Sequence, residues 1–380
     1  MHRVLLLGAG KIGRMIAKLL SQTGDYDVLV GDTDAGVLDR LRVQSGAATR
    51  VLDAQNAAEI NDALRGRETL ISALSFRSNP LAARLAVAAG ANYFDLTEDL
   101  DTARHVRQVA AACQPGKVVM SQCGLAPGFI SIVAHHLTKA FDSVETVHMR
   151  VGALPQFPSN ALKYNLTWST DGLINEYCNP CEAIHDGRLI DVLPLEGLES
   201  FELDGVQYEG FNTSGGLGTL CDTLSGRVRE LNYKTIRYAG HRDLVAFLVN
   251  DLMLSQRRHV LKDVLERAIP VTFQDLVVIF CTVTGQRKGQ FVQLSDARTI
   301  YSQLIDAEAW SAIQITTAAG VCAALDLMLA GKLPHDGFVR QEEIDYDDFL
   351  DNRFGRRYRE DSTTRSGSPG IRDFRASRDA

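Results

Sequence analysis

The chain has no surplus of positive charge. With 40 basic and 47 acidic residues its formal net charge is −7, which argues against a general nucleic-acid surface. No secretory leader is expected, because an apolar strand and a glycine loop begin at once in MHRVLLLGAG. No apolar run is expected to reach the length of a membrane span. Cysteine is sparse: seven in 380 residues, read together with the missing leader as reduced thiols in the cytoplasm. One C-x-x-C pair, Cys178 and Cys181, has no second pair and no histidines at ligand spacing, so no metal site is expected. No internal repeat is found. What remains is 45% hydrophobic and 23% charged, the composition of a globular chain long enough for two or three domains.

The first 34 residues organise the rest. Val4, Leu5, Leu6 and Leu7 form a short buried strand, and Gly8, Gly10 and Gly13 follow in the spacing G-x-G-x-x-G. A helical run comes next, with Ile12, Met15, Ile16, Leu19 and Leu20 on one face, and then a second apolar strand ending at Gly31 and Asp32. The first glycine allows a tight turn, the second lets a pyrophosphate approach the backbone, and the third lets helix pack on strand. The helix start offers free N–H groups and the positive end of its dipole. Gly8, Gly10, Lys11, Ile12 and Gly13 are therefore expected to hold a dinucleotide. An acid about twenty positions after the loop accepts hydrogen bonds from ribose hydroxyls and repels a 2′-phosphate. Asp32 fills that place and Asp34 adds charge, so the expected cofactor is NAD, with NADP less favoured.

Strands and helices then alternate: helix 36–43, strand 49–53, helix 57–64, strand 69–74, helix 81–89, strand 92–96, helix 101–113 and strand 117–121. This is the pattern of a Rossmann, doubly wound parallel sheet in an α/β domain. Ligands of such sheets sit beyond the carboxyl ends of the strands. Asp53, Ala73, Leu74, Ser75 and Thr97 are placed there as cofactor contacts, and Glu98 and Asp99 beside the expected nicotinamide. The same 97–101 stretch also reads as the polar start of the next helix, where carboxylates are favourable.

Beyond residue 143 the pattern changes to an α+β domain with a mixed or antiparallel sheet. Strands are expected at 144–151, 166–169, 182–185, 188–191, 200–203, 206–209, 276–284 and 289–294, a hairpin at Asp204-Gly205, a polar strand or loop at 232–240, and helices at 170–177, 245–254 and 260–268. An alanine-rich helix at 313–329 is expected to return to the first domain, followed by an acidic helix within 337–358. The expected organisation is 1–125 dinucleotide-binding, 126–310 substrate-binding, 311–360 returning helices and 361–380 a disordered tail. The glycine loop 215–218 lacks a strand-then-helix setting and a following lysine, so it reads as a hinge or substrate-side turn rather than a phosphate loop.

GAGKIG (8–13), DLTED (95–99), QCGLAPG (122–128), ALP-Q (153–156), YNLTWSTDGLINEY (164–177), FNTSGGLGTL (211–220) and the R-Y-x-G-H of 237–241 together resemble the saccharopine dehydrogenase family over about residues 1–360. The family includes glutamate-forming saccharopine dehydrogenase, lysine 6-dehydrogenase and carboxynorspermidine dehydrogenase, all of which move hydride between a nicotinamide and a carbon bearing nitrogen. The resemblance implies a second domain that supplies substrate contacts and a homodimer interface. Fungal glutamate-forming enzymes carry an acid inside G-L-D-P-G, where this chain has Ala126, and a cysteine where Val151 aligns. Lysine 6-dehydrogenases are the nearer match on both counts, alongside bacterial relatives labelled saccharopine dehydrogenase.

The expected reaction is NAD-dependent oxidative deamination of the ε-amine of L-lysine to 2-aminoadipate 6-semialdehyde. Glu98 and Asp99 are expected to bind the ammonium, His241 to relay its proton, and Arg237 to hold the α-carboxylate, with Asn212 and Thr213 orienting the substrate. A small-molecule amino acid is thus the expected ligand, with no nucleic acid and no membrane as partners. The alternatives are saccharopine as substrate, with Arg77, Lys163 or Arg150 as an added cation, and a non-catalytic NAD-binding regulatory protein.

Overall fold

The computed structural model describes residues 1–359; the expected tail at 361–380 lies outside them. The first sheet contains β1 (His2–Leu7), β2 (Tyr26–Asp32), β3 (Ala48–Val51), β4 (Thr69–Ser72), β5 (Asn92–Asp95) and β6 (Val118–Met120). A two-residue strand at Gly337–Phe338 adds to the edge, in the order 337–338, β6, β5, β4, β1, β2, β3. Every pairing is parallel. Val4 to Leu7 are fully buried, because helices cover both faces of the sheet. Those helices are α1 (Lys11–Ser21), α2 (Ala35–Ser45), α3 (Ala57–Leu64), α4 (Asn79–Ala88) and α5 (Leu100–Val109).

After α6 (Phe129–Thr138) the chain enters the second sheet with the long strand β7 (Ser143–Pro155), followed by helix α7 (Thr170–Cys178). The remaining strands are β8 (Cys181–His185), β9 (Arg188–Val192), β10 (Glu199–Leu203), β11 (Val206–Asn212), β12 (Glu230–Tyr238), β13 (Asp275–Arg287) and β14 (Gln290–Tyr301). Their order is β10, β11, β12, β7, β13, β14, with β8 and β9 attached beside β12. Asp204 and Gly205 turn the β10–β11 hairpin, both at positive φ. β7 is antiparallel to β13 but parallel to β12, so the sheet is mixed.

Several local expectations change. The 166–169 stretch makes only a single bridge, Leu166 to Val271. The 232–240 stretch is a central strand, because Leu231, Tyr233 and Ile236 of β12 point into the core. The helix expected at 245–254 begins earlier, as α8 (Leu220–Leu224) is followed by α9 (His241–Ala246), and it continues as a π-helical turn at Phe247–Asp251. α10 (Arg258–Ala268) lies within about two residues of its expected place.

The helix α11 (Ala312–Leu329) corrects the expectation that no run is long enough to cross a membrane. Its 18 residues have a mean hydropathy of 1.6, and 83% of that window is buried within the protein. A helix surrounded by protein is apolar on every side. It rests against α1, where Gln314 Nε2 donates to the Lys11 carbonyl at 2.8 Å, and reaches β2, whose Tyr26 hydroxyl donates to Asp326 at 2.6 Å. Beyond it, the acidic segment is α-helical as α12 (Tyr346–Asp351), flanked by 3-10 turns at Gln341–Glu343 and Gly355–Tyr358.

The start of α11 is tied to the second sheet. Ser311 caps the helix, and both carboxylate oxygens of Asp275 accept from the amides of Ala312 and Ile313. Asp275 is fully buried, so losing its side chain would strand two buried N–H groups at a helix start. Asp275→Ala is expected to destabilise the protein by about 2 kcal/mol, read as a lowered midpoint in urea unfolding, with Asp275→Asn losing less.

Candidate active site

The glycine loop is shaped as its spacing requires. Gly8 has φ +100°, and a Cβ there would lie 2.8 Å from the Ala73 carbonyl oxygen; a Cβ on Gly13 would lie 1.9 Å from that of Gly8. Gly10 is different, because a Cβ there would meet nothing within 4 Å. Gly10 precedes α1, whose first turn has neither a side-chain cap nor an acidic residue. Unsatisfied amides that face open space fit an anionic pyrophosphate. Asp32 stands beside this turn, its carboxylate accepting from Ala9 N at 2.7 Å and Asp34 N at 3.0 Å. Asp34 caps α2 through Val37 N.

Between the two sheets lies a cleft with about 980 Å³ of free space, part of it open to solvent. Ile12, Ala73, Leu74, Ser75 and Glu98 line it from the first domain. Trp168, Glu176, Tyr233, Thr235 and Arg237 line it from the second. The remaining expected cofactor contacts lie elsewhere. Lys11 reaches across with Nζ to the Leu166 carbonyl at 3.4 Å. Thr97 is buried in the turn after β5, where its amide donates to Asp95 and its hydroxyl accepts from Asp99 N. Asp53 is exposed and accepts from Gln55 N in a local turn.

Glu98 is held by close backbone. A Cβ on Gly172 would come within 2.8 Å of Glu98 Oε1, and one on Gly215 within 2.2 Å of the Glu98 carbonyl oxygen. The glycine loop expected as a substrate-side turn thus closes directly over Glu98. Burial pushes the Glu98 carboxyl up to about 7, and the negative charge of Glu176 adds to the shift. Glu176 follows Gly172 by one turn on the same face of α7. Burial pushes it too up to about 7, partly offset by Arg237. Its Oε2 lies 3.5 Å from Arg237 Nη2, too far for a strong hydrogen bond, and is otherwise unpartnered.

Arg237 is 2% exposed. Its Nε donates to the Tyr177 hydroxyl at 3.0 Å, and Nη1 donates to Thr235 Oγ1 at 2.7 Å and to the Ile236 carbonyl at 2.9 Å. The guanidinium also sits 5.0 Å above the Tyr164 ring. Behind it, His241 Nδ1 lies 2.7 Å from the Leu162 carbonyl and Nε2 lies 3.0 Å from the Tyr177 hydroxyl. A carbonyl only accepts, so Nδ1 carries the proton and Nε2 accepts from Tyr177. Burial first, and then Arg237, push His241 down to about 3.

The structure therefore brings Glu98 and Arg237 to one cleft with Ile12, Ala73, Leu74 and Ser75, and leaves the other expected catalytic and substrate-binding residues outside its lining. His241, the expected proton relay, is a buried ring behind Arg237 whose Nε2 accepts from the Tyr177 hydroxyl. Asp99 accepts from Thr102 N as the cap of α5, the bland alternative for that stretch. Asn212 donates to the Leu193 carbonyl at 3.4 Å, and Thr213 is buried with an unpartnered hydroxyl. Glu176, Tyr177, Tyr233 and Thr235 went unsignalled. A carboxylate set among buried Leu173, Ile174 and Tyr177 was the one available sign of Glu176, because an acid on an apolar helix face asks for a partner.

Known proteins resemble this chain along most of its length. Residues 4–120 match the profile described as saccharopine dehydrogenase NADP binding domain, and residues 124–354 that of the saccharopine dehydrogenase C-terminal domain. The fold is similar to that of the solved saccharopine dehydrogenase (L-Glu forming) from Saccharomyces cerevisiae, with a TM-score of 0.74 and 18% identity, covering 92% of this chain and 96% of that one. Among curated proteins, the mitochondrial alpha-aminoadipic semialdehyde synthase of Bos taurus is 21% identical over 353 residues, 88% of this chain and 38% of that protein. The Rattus norvegicus protein of the same name is 22% identical over 197 residues, 50% of this chain and 21% of that protein. The chain thus spans well under half the length of these relatives.

The raised carboxyls carry a stability consequence. A carboxyl near 4.5 in the unfolded chain and about 7 in the folded one favours folding below the lower value, and that contribution is lost as pH rises through the higher. Glu98→Gln should therefore leave the melting temperature of the free protein nearly unchanged at pH 5 and raise it at pH 8. An equal shift at both values, measured by differential scanning fluorimetry, would contradict the burial of this charge.

Proposed function

The chain belongs to the saccharopine dehydrogenase family, and from that premise we propose that it is an NAD-dependent oxidoreductase that deaminates the ε-amine of L-lysine to 2-aminoadipate 6-semialdehyde. The observation that carries this reading is the charge of the cleft: two carboxylates, the half-buried Glu98 and the buried Glu176, and one cation, Arg237, among the described residues that line it. Lysine brings two ammonium groups and one carboxylate. Saccharopine would bring three carboxylates, and two of the three cations considered for them, Arg150 and Lys163, are engaged elsewhere. Arg150 is buried against Glu199 and Asn232, Lys163 donates to the Ala239 carbonyl, and Arg77 is exposed beside the Phe76 ring.

Gly8, Gly10 and Gly13, with the open start of α1 and Asp32, would hold the dinucleotide, with Ala73, Leu74 and Ser75 along its path into the cleft. Asp32 and Asp34 support NAD over NADP, since both place negative charge where a 2′-phosphate would lie. When bound, the nicotinamide supplies a hydride acceptor.

The chain's own residues deal with the proton. Lysine's amine has an ordinary pKa of about 10.4, and only the neutral amine can release hydride from its carbon. Transfer to an ordinary carboxylate would be uphill by about six units, roughly 8 kcal/mol. A carboxylate raised to about 7 removes about 3 kcal/mol of that cost. Glu98 accordingly binds the ammonium as an anion, accepts its proton within the desolvated cleft, and passes a proton on as water adds to the imine.

Absorbance of NADH at 340 nm, with L-lysine and saccharopine as alternative substrates and NAD or NADP as oxidant, tests the reading. Turnover of lysine with NAD is expected. Turnover of saccharopine alone would overturn the substrate, and dinucleotide binding without turnover of either would favour the regulatory alternative. The lysine kcat/KM should rise from pH 6 to 8 with a first apparent pKa near 7, assigned to the Glu98–Glu176 pair because both carboxyls are raised to about that value. Glu98→Gln should lower kcat at least about a hundredfold while NADH affinity, read by fluorescence titration, stays within about twofold.

A further inference from the structure

We propose that Glu176 and Arg237 act as one receptor for the α-amino-acid head group of the substrate, Arg237 Nη2 taking the α-carboxylate and Glu176 the α-ammonium. This rests on the reading above, in which Glu98 serves the reacting amine, and it adds the residue that selects a zwitterionic chain end and sets which end faces Glu98.

The argument begins with spent and unspent donors. Nε and Nη1 of Arg237 are committed to Tyr177, Thr235 and Ile236. Nη2 makes no hydrogen bond among the described residues, only the 3.5 Å ion pair with Glu176. The Glu176 carboxylate likewise accepts no hydrogen bond there, although it is 9% exposed. A buried carboxylate without donors is costly, and such a group beside an open cleft asks for a donor from a ligand. Two opposite charges side by side match a head group whose own opposite charges flank a single carbon. Tyr177, fixed by His241, holds the guanidinium in place.

The spacing suits the same ligand. Glu98 touches α7 at Gly172, and Glu176 lies one turn further on, a rise of about 5.4 Å. Four methylene steps from Cα to Cε cover on the order of 5 Å. Trp168 and Tyr233 line the cleft and give those methylenes apolar and aromatic surface.

The test uses ligands that cannot react. L-norleucine keeps the head group and lacks the ε-amine; hexanoate keeps only the carboxylate. Binding to the protein saturated with NAD is followed by quenching of tryptophan fluorescence, because Trp168 lines the cleft. Wild-type protein is expected to bind L-norleucine at least tenfold more tightly than hexanoate. Glu176→Gln should remove most of that preference while hexanoate affinity stays within about twofold. Equal wild-type affinities, or no binding of L-norleucine, overturn the proposal without any variant. A preference that survives Glu176→Gln also overturns it. If norleucine binds as expected and lysine is not oxidised, the head-group site stands and the reaction assigned above falls, so the two failures are distinct.

Discussion

A guanidinium near the end of a central β-strand, 2% exposed, has to be neutralised and hydrogen-bonded where it stands. Arg237 meets that demand through Tyr177, Thr235, the backbone of Ile236 and the nearby charge of Glu176. The rest of the second domain follows from it. Tyr177 has to come from α7, so α7 lies against β12 and brings Glu176 into the cleft. His241 has to accept from Tyr177, so it stays neutral, and burial beside a cation ensures that. Removing a partner from such a set would leave an uncompensated charge, a loss larger than the value of any single contact within it.

The two domains meet over a second constraint, the lack of room around Glu98. Gly172 on α7 and Gly215 in the loop after β11 leave no space for a Cβ, so a helix and a loop of the second domain both touch a turn of the first. α11 reinforces the contact from behind, since Asp275 of the second sheet caps a helix that rests on α1. A carboxylate shut in by backbone from both domains is desolvated by construction, and its raised proton affinity follows from the fold.

What the sequence revealed depended on how local the cause was. The glycine turn is legible because three glycines fall within six residues: Gly8 and Gly13 at close contacts that only glycine permits, and Gly10 beside open space. The parallel sheet was legible from its repeated strand and helix pattern. Its place after a strand marks Glu98, and Asp99 shares the mark because helix capping and ligand binding favour the same residue types. Glu176 was missed because an acid in a helix ordinarily faces water; only the arrival of β12 buries it. The parallel pairing of β7 with β12 arises from segments some eighty residues apart, and no local pattern encodes it. The apolar run of α11 was misjudged because a helix enclosed by protein and one enclosed by lipid share a composition.

In the proposed arrangement the substrate's head group lies at Arg237 and Glu176 and its amine-bearing end at Glu98. The most direct measurement follows deuterium from L-lysine into the reduced coenzyme by mass spectrometry, with the label placed at C6 in one experiment and at C2 in the other. The account predicts transfer from C6 and none from C2. Transfer from C2 would mean that the α-amine end faces Glu98, and would contradict the arrangement on which the assigned reaction depends.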